Sequence, residues 1–318
     1  MSGHRWPNVM AAHAVTLKAV TVMVLWAACF PLITTGLPLA PHLTFAAMRA
    51  FIAGTTLVGT ALVLRRSIPS GWTTWFLLVV AGVGATTLGF LGMFHAAEYL
   101  APGIATVIAN TQPLLAAVLA YLVLGERLSV AGMAGLAVGF IGIAAIAAPG
   151  FTSQNSNDDY LLGIAYVLLA AAGITVSNVA FKRLASTVDA LMAAGTQLLI
   201  GMIPLSLIAV LTETPSDVDW SPTFVFVLFG LALPGTAIAY WLWLSVLETL
   251  TLNRANAFTF LVPIFGLAIG IAFYGEALTA SVALGASLTL LGVIVVNRSK
   301  HTVTAPPIPQ PELDLSSS

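Results

Sequence analysis

The chain has 318 residues, 59% hydrophobic and 7% charged, with a formal net charge of −1 at pH 7. Soluble domains carry roughly 25% charged residues, so this chain cannot cover itself with a water-facing surface, and its near-zero charge excludes the basic field that nucleic acid demands. The one cysteine, Cys29, excludes an intrachain disulfide and a multi-thiolate zinc site.

A membrane-spanning helix needs about 20 mostly apolar residues. Polar and turn-forming residues divide the chain into ten such runs, near 16–36, 42–64, 73–96, 102–124, 129–148, 161–181, 188–211, 223–247, 253–274 and 278–297. The expected fold class is therefore an all-α membrane protein of ten transmembrane helices. A polar segment, 1–15, precedes the first run, which is too long for a signal-peptide core and reads as a retained helix. Trp26 lies deep within that run, and Cys29 beside it reads as packing.

In the second run Arg49 stands about eight residues in, roughly 12 Å from the start at 1.5 Å per residue. A charge at that depth costs several kcal/mol unless it is paired or wetted. Arg49 either faces a cavity, where a carboxylate substrate would suit it, or braces helix-end carbonyls and snorkels to a headgroup. The third run holds Gly82, Gly84, Gly89 and Gly92, a packing series, then Phe90, Phe94 and His95 near its end. His95 either contacts substrate or is a solvated helix-end histidine.

Pro113 falls near the middle of the fourth run, beside Asn110, Thr111 and Gln112. It removes a backbone bond and frees a carbonyl that lipid cannot satisfy. The fifth run carries Gly132, Gly135, Gly139 and Gly142 at three- and four-residue spacing, a stripe for close helix approach. A polar linker, 149–160, follows. The sixth and seventh runs offer little chemistry, and the eighth holds Tyr240, Trp241 and Trp243, of which Tyr240 is deepest. In the ninth run Pro263 repeats the interruption, with Asn256 and Thr259 one to two turns before it. The polar groups beside each proline line a cavity or bond helix to helix. The tail, 298–318, is proline- and serine-rich and is expected to be disordered.

Arg65, Arg66, Arg127, Lys182, Arg183 and Arg254 all fall in even-numbered loops, and the odd loops hold no Lys or Arg. The positive-inside rule puts those loops and both termini in the cytoplasm. The acidic odd loops read as solvated rather than as ligand sites.

An internal repeat at an offset of 150 residues fixes the expected architecture. Glu98, Pro113, Gly125, Glu126, Gly135 and Gly142 recur as Glu248, Pro263, Gly275, Glu276, Gly285 and Gly292 without insertion. Each copy has five helices, an odd number, so the second enters the membrane from the opposite side. Inverted repeats supply two conformations of similar energy, as secondary transporters require.

The segment Pro113 to Gly142, with its P...LVLGERL...G...G..G pattern, and TFLVPIFGLAIGIAFYGEALT from Thr259 to Thr279 resemble the paired EamA domains of the drug/metabolite transporter superfamily. The resemblance is best in helices 4, 5, 9 and 10, fair around Trp26 and Arg49, and weak in helices 6 and 7. It implies a ten-helix carrier with a central cavity between EamA repeats at 16–148 and 161–297, exporting amino acids or related small metabolites through a bacterial inner membrane. It does not imply one substrate.

The expected site is Trp26, Arg49, His95, Asn110, Gln112, Tyr240, Asn256 and Thr259, with helix discontinuities at Pro113 and Pro263. No cofactor, metal or catalytic group is expected, since His95 lacks companions at ligand spacing and no phosphate-binding glycine motif exists. Glu98, Glu126, Glu248 and Glu276 all map to helix ends, with no buried carboxylate for proton coupling. A facilitator or exchanger is thus the first reading, and a proton-coupled antiporter using His95 or a helix-end glutamate the second. The remaining rivals are an intramembrane enzyme, which would need a clustered His, Asp and Ser or metal constellation at depth, and a lipid translocase or non-transport scaffold. The partners expected are a small solute and the lipid bilayer, with a monomer favoured over a dimer.

Overall fold

In the computed structural model, residues 6–99, 108–109, 111–151, 158–185, 187–274, 279–299 and 301–303 are described. The chain folds as helices α1 (Trp6–Gly36), α2 (His42–Val63), α3 (Trp72–Ala81), α4 (Gly89–Tyr99), α5 (Gln112–Leu124), α6 (Val130–Phe151), α7 (Asp158–Leu184), α8 (Ala190–Thr212), α9 (Pro222–Ala232), α10 (Ala239–Thr249), α11 (Leu252–Ala257), α12 (Leu261–Tyr274) and α13 (Ala280–Arg298). Among the described residues, seven helical segments are long and apolar enough to cross a membrane, and Gln112–Leu124 and Val130–Ala145 are shorter apolar helices. Leu211, Phe226 and Val63 are exposed on the outside, a surface that suits hydrocarbon and not water.

Two long helices are not uniform. A π turn, Gly82–Leu88, joins α3 to α4, and another, Leu233–Ile238, joins α9 to α10. They begin in helices that start 150 residues apart, at Trp72 and Pro222. In the second, Pro234 has no N–H for the Gly230 carbonyl, and the Thr236 hydroxyl donates to the Leu231 carbonyl at 2.7 Å. Such turns re-aim side chains by one position and frequently mark functional sites.

The glycines act as the stripe predicted, by letting backbones meet. A Cβ on Gly142 would lie 2.6 Å from the Gly285 carbonyl, and one on Gly292 would lie 2.6 Å from that of Gly135. The early glycine of α6 thus meets the late glycine of α13 and the late one meets the early, so these helices cross antiparallel. Gly84 meets Gly173 in the same manner between the first π turn and α7.

At the basic face the helix ends are tied by side chains. Gly125 takes φ +67°, a left-handed turn that ends α5 without a Cβ clash. The chain then swings inward as strand β1 (Glu126–Leu128). Glu126 is 3% exposed and accepts from Leu252 N at 2.9 Å, Asn253 N at 3.2 Å and Asn253 Nδ2 at 3.1 Å. This corrects the expectation of no buried carboxylate: the free N–H groups opening α11 need an acceptor, and Glu126 supplies it. Lys182 donates to the Leu247 and Leu250 carbonyls at 2.6 and 2.7 Å, and Arg254 donates to the Asn297 carbonyl. At the other face Glu213 caps α2 through Leu43 N and Thr44 N, both at 2.8 Å.

Strand β2 (His301–Val303) pairs antiparallel with β1, Glu126 opposite Val303. That differs from the disordered tail expected from residue 298. The open edge of β1 offers backbone groups that an extended segment satisfies. The rest of the tail lies outside the described residues.

Candidate functional site

The prolines set the first elements of the site. Pro113 lies in the opening turn of α5, with Thr111 as the preceding cap, rather than at mid-helix, because a proline without an N–H fits a helix start best. Pro263 sits in the first turn of α12, after a 3-10 turn, Phe258–Phe260, that separates α12 from α11. Each proline withholds the bond its helix would give to the carbonyl four residues back. Those carbonyls belong to Ala109 and Thr259, and both residues line one cavity.

This cavity of about 170 Å³ is far larger than the ~10–15 Å³ needed for one water. Its wall includes four pairs of residues 150 apart: Phe90 and Tyr240, Met93 and Trp243, Ala109 and Thr259, Gln112 and Val262. Trp26 of α1 closes one side, its ring centroid 6.3 Å from Tyr240 and 5.4 Å from Trp243. The wall is mainly apolar, and among the described residues Arg49 is the one charged residue in it.

Arg49 is 6% exposed. Its Nε donates to the Thr236 hydroxyl at 2.6 Å, an Nη reaches Cys29 Sγ at 3.6 Å, and the guanidinium lies 4.9 Å from the Phe90 ring centre. No carboxylate pairs with it among the described residues. A buried cation with only neutral partners is poorly compensated, and an anion entering the cavity would complete it.

A polar chain runs through one wall. Trp243 Nε1 donates to Asn178 Oδ1 at 2.9 Å, Asn178 Nδ2 donates to Asn256 Oδ1 at 3.3 Å, and Gln112 Nε2 reaches that same oxygen at 3.3 Å. Asn256 is fully buried and stands behind the wall, its Nδ2 donating to the Leu252 carbonyl.

Of the residues singled out in the sequence, Trp26, Arg49, Gln112, Tyr240 and Thr259 meet at the cavity, and Asn256 supports it from behind. Asn110 lies outside the described residues. His95 does not line the cavity: its ring packs 4.6 Å from that of His42 and 4.8 Å from that of Tyr166. His42 Nδ1 lies 3.0 Å from Glu98 and 3.4 Å from Glu213, so His95 joins a titratable group at one end of the bundle. Sequence reasoning missed Asn178, Cys29 and Thr236. Trp243 carried a signal, since it stands 150 residues from Met93. Among the described residues no group of three His, Cys, Asp or Glu could hold a metal.

Comparison with known proteins is consistent along the chain. The profile of the EamA-like transporter family matches residues 14–148 and 161–298. A chloroplastic WAT1-related protein of Arabidopsis thaliana is 30% identical over 268 residues, 82% of this chain, which spans 64% of that protein's length. The uncharacterized transporter YvbV of Bacillus subtilis is 28% identical over 276 residues, 87% of this chain and 89% of that one. A probable amino-acid metabolite efflux pump of Escherichia coli is 27% identical over 286 residues, 87% and 92% of the two chains. A crystal structure 21% identical in sequence superposes over 89% of this chain and 96% of its own, with a TM-score of 0.75, and shares the fold.

Proposed function

The chain belongs to the EamA-like transporter family, a family of multi-pass membrane proteins, and from that premise we propose that it is a secondary carrier for small metabolites bearing a carboxylate, amino acids foremost. The observation that carries this reading is Arg49, a buried guanidinium on the cavity wall with neutral partners only. A carboxylate is the planar acceptor that fits its remaining donors. The relatives named as probable amino-acid metabolite efflux pumps support the same cargo class and an outward direction.

The proposed mechanism is alternating access without ATP hydrolysis, by ten spanning helices in two inverted halves, 16–148 and 161–297, with both termini on the cytoplasmic side of a bacterial inner membrane. Three facts support it: residue pairs 150 apart share one cavity, the π turns recur at that offset, and α6 crosses α13 antiparallel through reciprocal glycines. Halves that exchange shapes open the same centre to either face.

The test is ligand-induced thermal stabilisation of the purified protein across amino acids, nucleosides and sugars, since anything that binds the folded state raises its stability. Carboxylate-bearing solutes are expected to stabilise the wild type and not Arg49→Gln. Stabilisation by sugars or nucleosides alone would overturn the cargo class.

A second reading, proton coupling, draws on His42 with Glu98, Glu213 and His95 around it. Acceleration of uptake into proteoliposomes by an imposed pH gradient, with the membrane voltage clamped, would favour it over the facilitator or exchanger.

A further inference from the structure

Arg49 has a counterpart outside the wall of this cavity. Helix α2 begins at His42 and α8 at Ala190, so Arg49 and Gln197 are each the eighth residue of their helix. Each bonds into the π turn of the other half. Arg49 Nε donates to the Thr236 hydroxyl at 2.6 Å, and the Thr86 hydroxyl donates to Gln197 Oε1 at 3.0 Å. Thr86 and Thr236 are themselves 150 residues apart and both fully buried. The two contacts are one contact made twice, once in each direction.

Their surroundings differ. Arg49 faces open space beside Phe90. Gln197 is fully buried, outside the cavity wall, and its Nε2 has no hydrogen-bond partner among the described residues. Buried amide donors are nearly always satisfied, so an orphaned one marks a group whose acceptor is absent in this conformation. A Cβ on Gly201, one helical turn further along α8, would lie 2.2 Å from the Gly82 carbonyl, so α8 is pressed against the first π turn and leaves no room for a solute there.

We propose that Gln197 is a second cargo-binding residue, which takes the place of Arg49 when the cavity opens to the opposite face. This rests on the alternating-access reading above. When the halves exchange shapes, the contact of α8 with the first π turn takes the form that α2 has with the second, bonded to the turn but open to the cavity, and Gln197 comes to lie beside Tyr240, the repeat partner of Phe90. Its amide then donates to an oxygen of the cargo. One state holds the solute by a fixed positive charge and the other by a neutral amide, so an anionic solute is gripped at one face and released at the other. The ligand class at the second position is a hydrogen-bond acceptor, without the demand for charge that Arg49 imposes.

The experiment uses single-cysteine variants in a Cys29→Ala background: Arg49→Cys and Ala85→Cys, both on the cavity wall, and Gln197→Cys and Gly235→Cys, the repeat partner of Ala85, on the other side of the relation. Right-side-out and inside-out vesicles are treated with the membrane-impermeant reagent [2-(trimethylammonium)ethyl] methanethiosulfonate. Arg49→Cys and Ala85→Cys are expected to react from one face, and Gln197→Cys and Gly235→Cys from the other, with a preference of at least about tenfold in rate, the scale of an ordinary two-state bias. The two reporters on each side keep the result readable if one variant does not fold. Reaction of all four from the same face, or silence of the Gln197 and Gly235 reporters while the Arg49 and Ala85 pair reacts, would overturn the inference and leave the carrier reading standing. Silence of the Arg49 and Ala85 reporters from both faces would remove the cavity itself, and both readings with it.

Discussion

Trp243 donates its indole N–H to the Asn178 side-chain oxygen across 2.9 Å, and through Asn178 it is tied to Asn256 on another helix. Three helices are thereby joined by side chains inside a mainly apolar wall, where a hydrogen bond is electrostatically stronger than in water.

Asn178→Leu is expected to lower stability by about 1–3 kcal/mol, the cost of stranding a buried donor. It leaves Trp243 Nε1 without an acceptor and removes one donor from Asn256. Trp243→Phe removes the donor instead and should cost less. Thermal unfolding of the two purified variants checks the order, and an equal or reversed ranking would show that the bond does not hold the wall.

Arg49→Gln is expected to weaken binding of carboxylate cargo severely while leaving membrane insertion and fold intact. The loss of a charge-assisted bond corresponds to about 1.5–3 kcal/mol, roughly 10- to 150-fold in affinity. Arg49→Lys should recover little, because a lysine ammonium lacks the planar fork that bonds the Thr236 hydroxyl through one nitrogen and offers a carboxylate a fixed pair of donors from the others. Transport with unchanged affinity in Arg49→Gln would remove this residue from the site.

Glu126→Ala is expected to destabilise by about 1–3 kcal/mol, since it strands Leu252 N, Asn253 N and Asn253 Nδ2 at the start of α11. Glu126→Gln keeps one acceptor oxygen and should fall between Ala and wild type. A fluorescence-monitored melting series measures this, and a neutral Ala variant would contradict the capping role.

Gly142→Ala and Gly292→Ala each drive a methyl into a backbone carbonyl 2.6 Å away and are expected to cost about 1–3 kcal/mol by overpacking. Gly59, in α2, has nothing within 4 Å of its Cβ position, so Gly59→Ala should instead gain up to about 1 kcal/mol from the reduced backbone entropy. Melting temperatures that move in the same direction for all three would refute the glycine contact between α6 and α13.

Much of the site was legible in the sequence because the membrane penalises exceptions. Arg49 stood out as a charge inside an apolar run, and the prolines and their polar neighbours stood out as breaks. Of these, Arg49, Gln112 and Thr259 meet at one cavity, together with the aromatic residues Trp26 and Tyr240. Glu126 was read as a mere helix-end glutamate, and its burial was hidden because it depends on the inward turn at Gly125 and on the opening of α11, which is distant in sequence. His95 looked like a site residue by type, but His42, Glu98 and Glu213 gather it at the end of the bundle. Asn178 and Gln197 gave no signal, since one amide in a helix is common and neither neighbours a proline.

The sequence by itself determined the apolar runs, the 150-residue repeat, the family and the presence of a buried cation, because each depends on composition or on spacing along the chain. Tertiary structure alone decided which helix faces meet, where the π turns shift Thr86 and Thr236 into reach, and why Arg49 sees a cavity while Gln197 is enclosed. The reason is the solvent. In water an apolar stripe marks the buried face of a helix, whereas in a bilayer lipid and core are alike apolar, so periodicity falls silent and only packing distinguishes inside from outside.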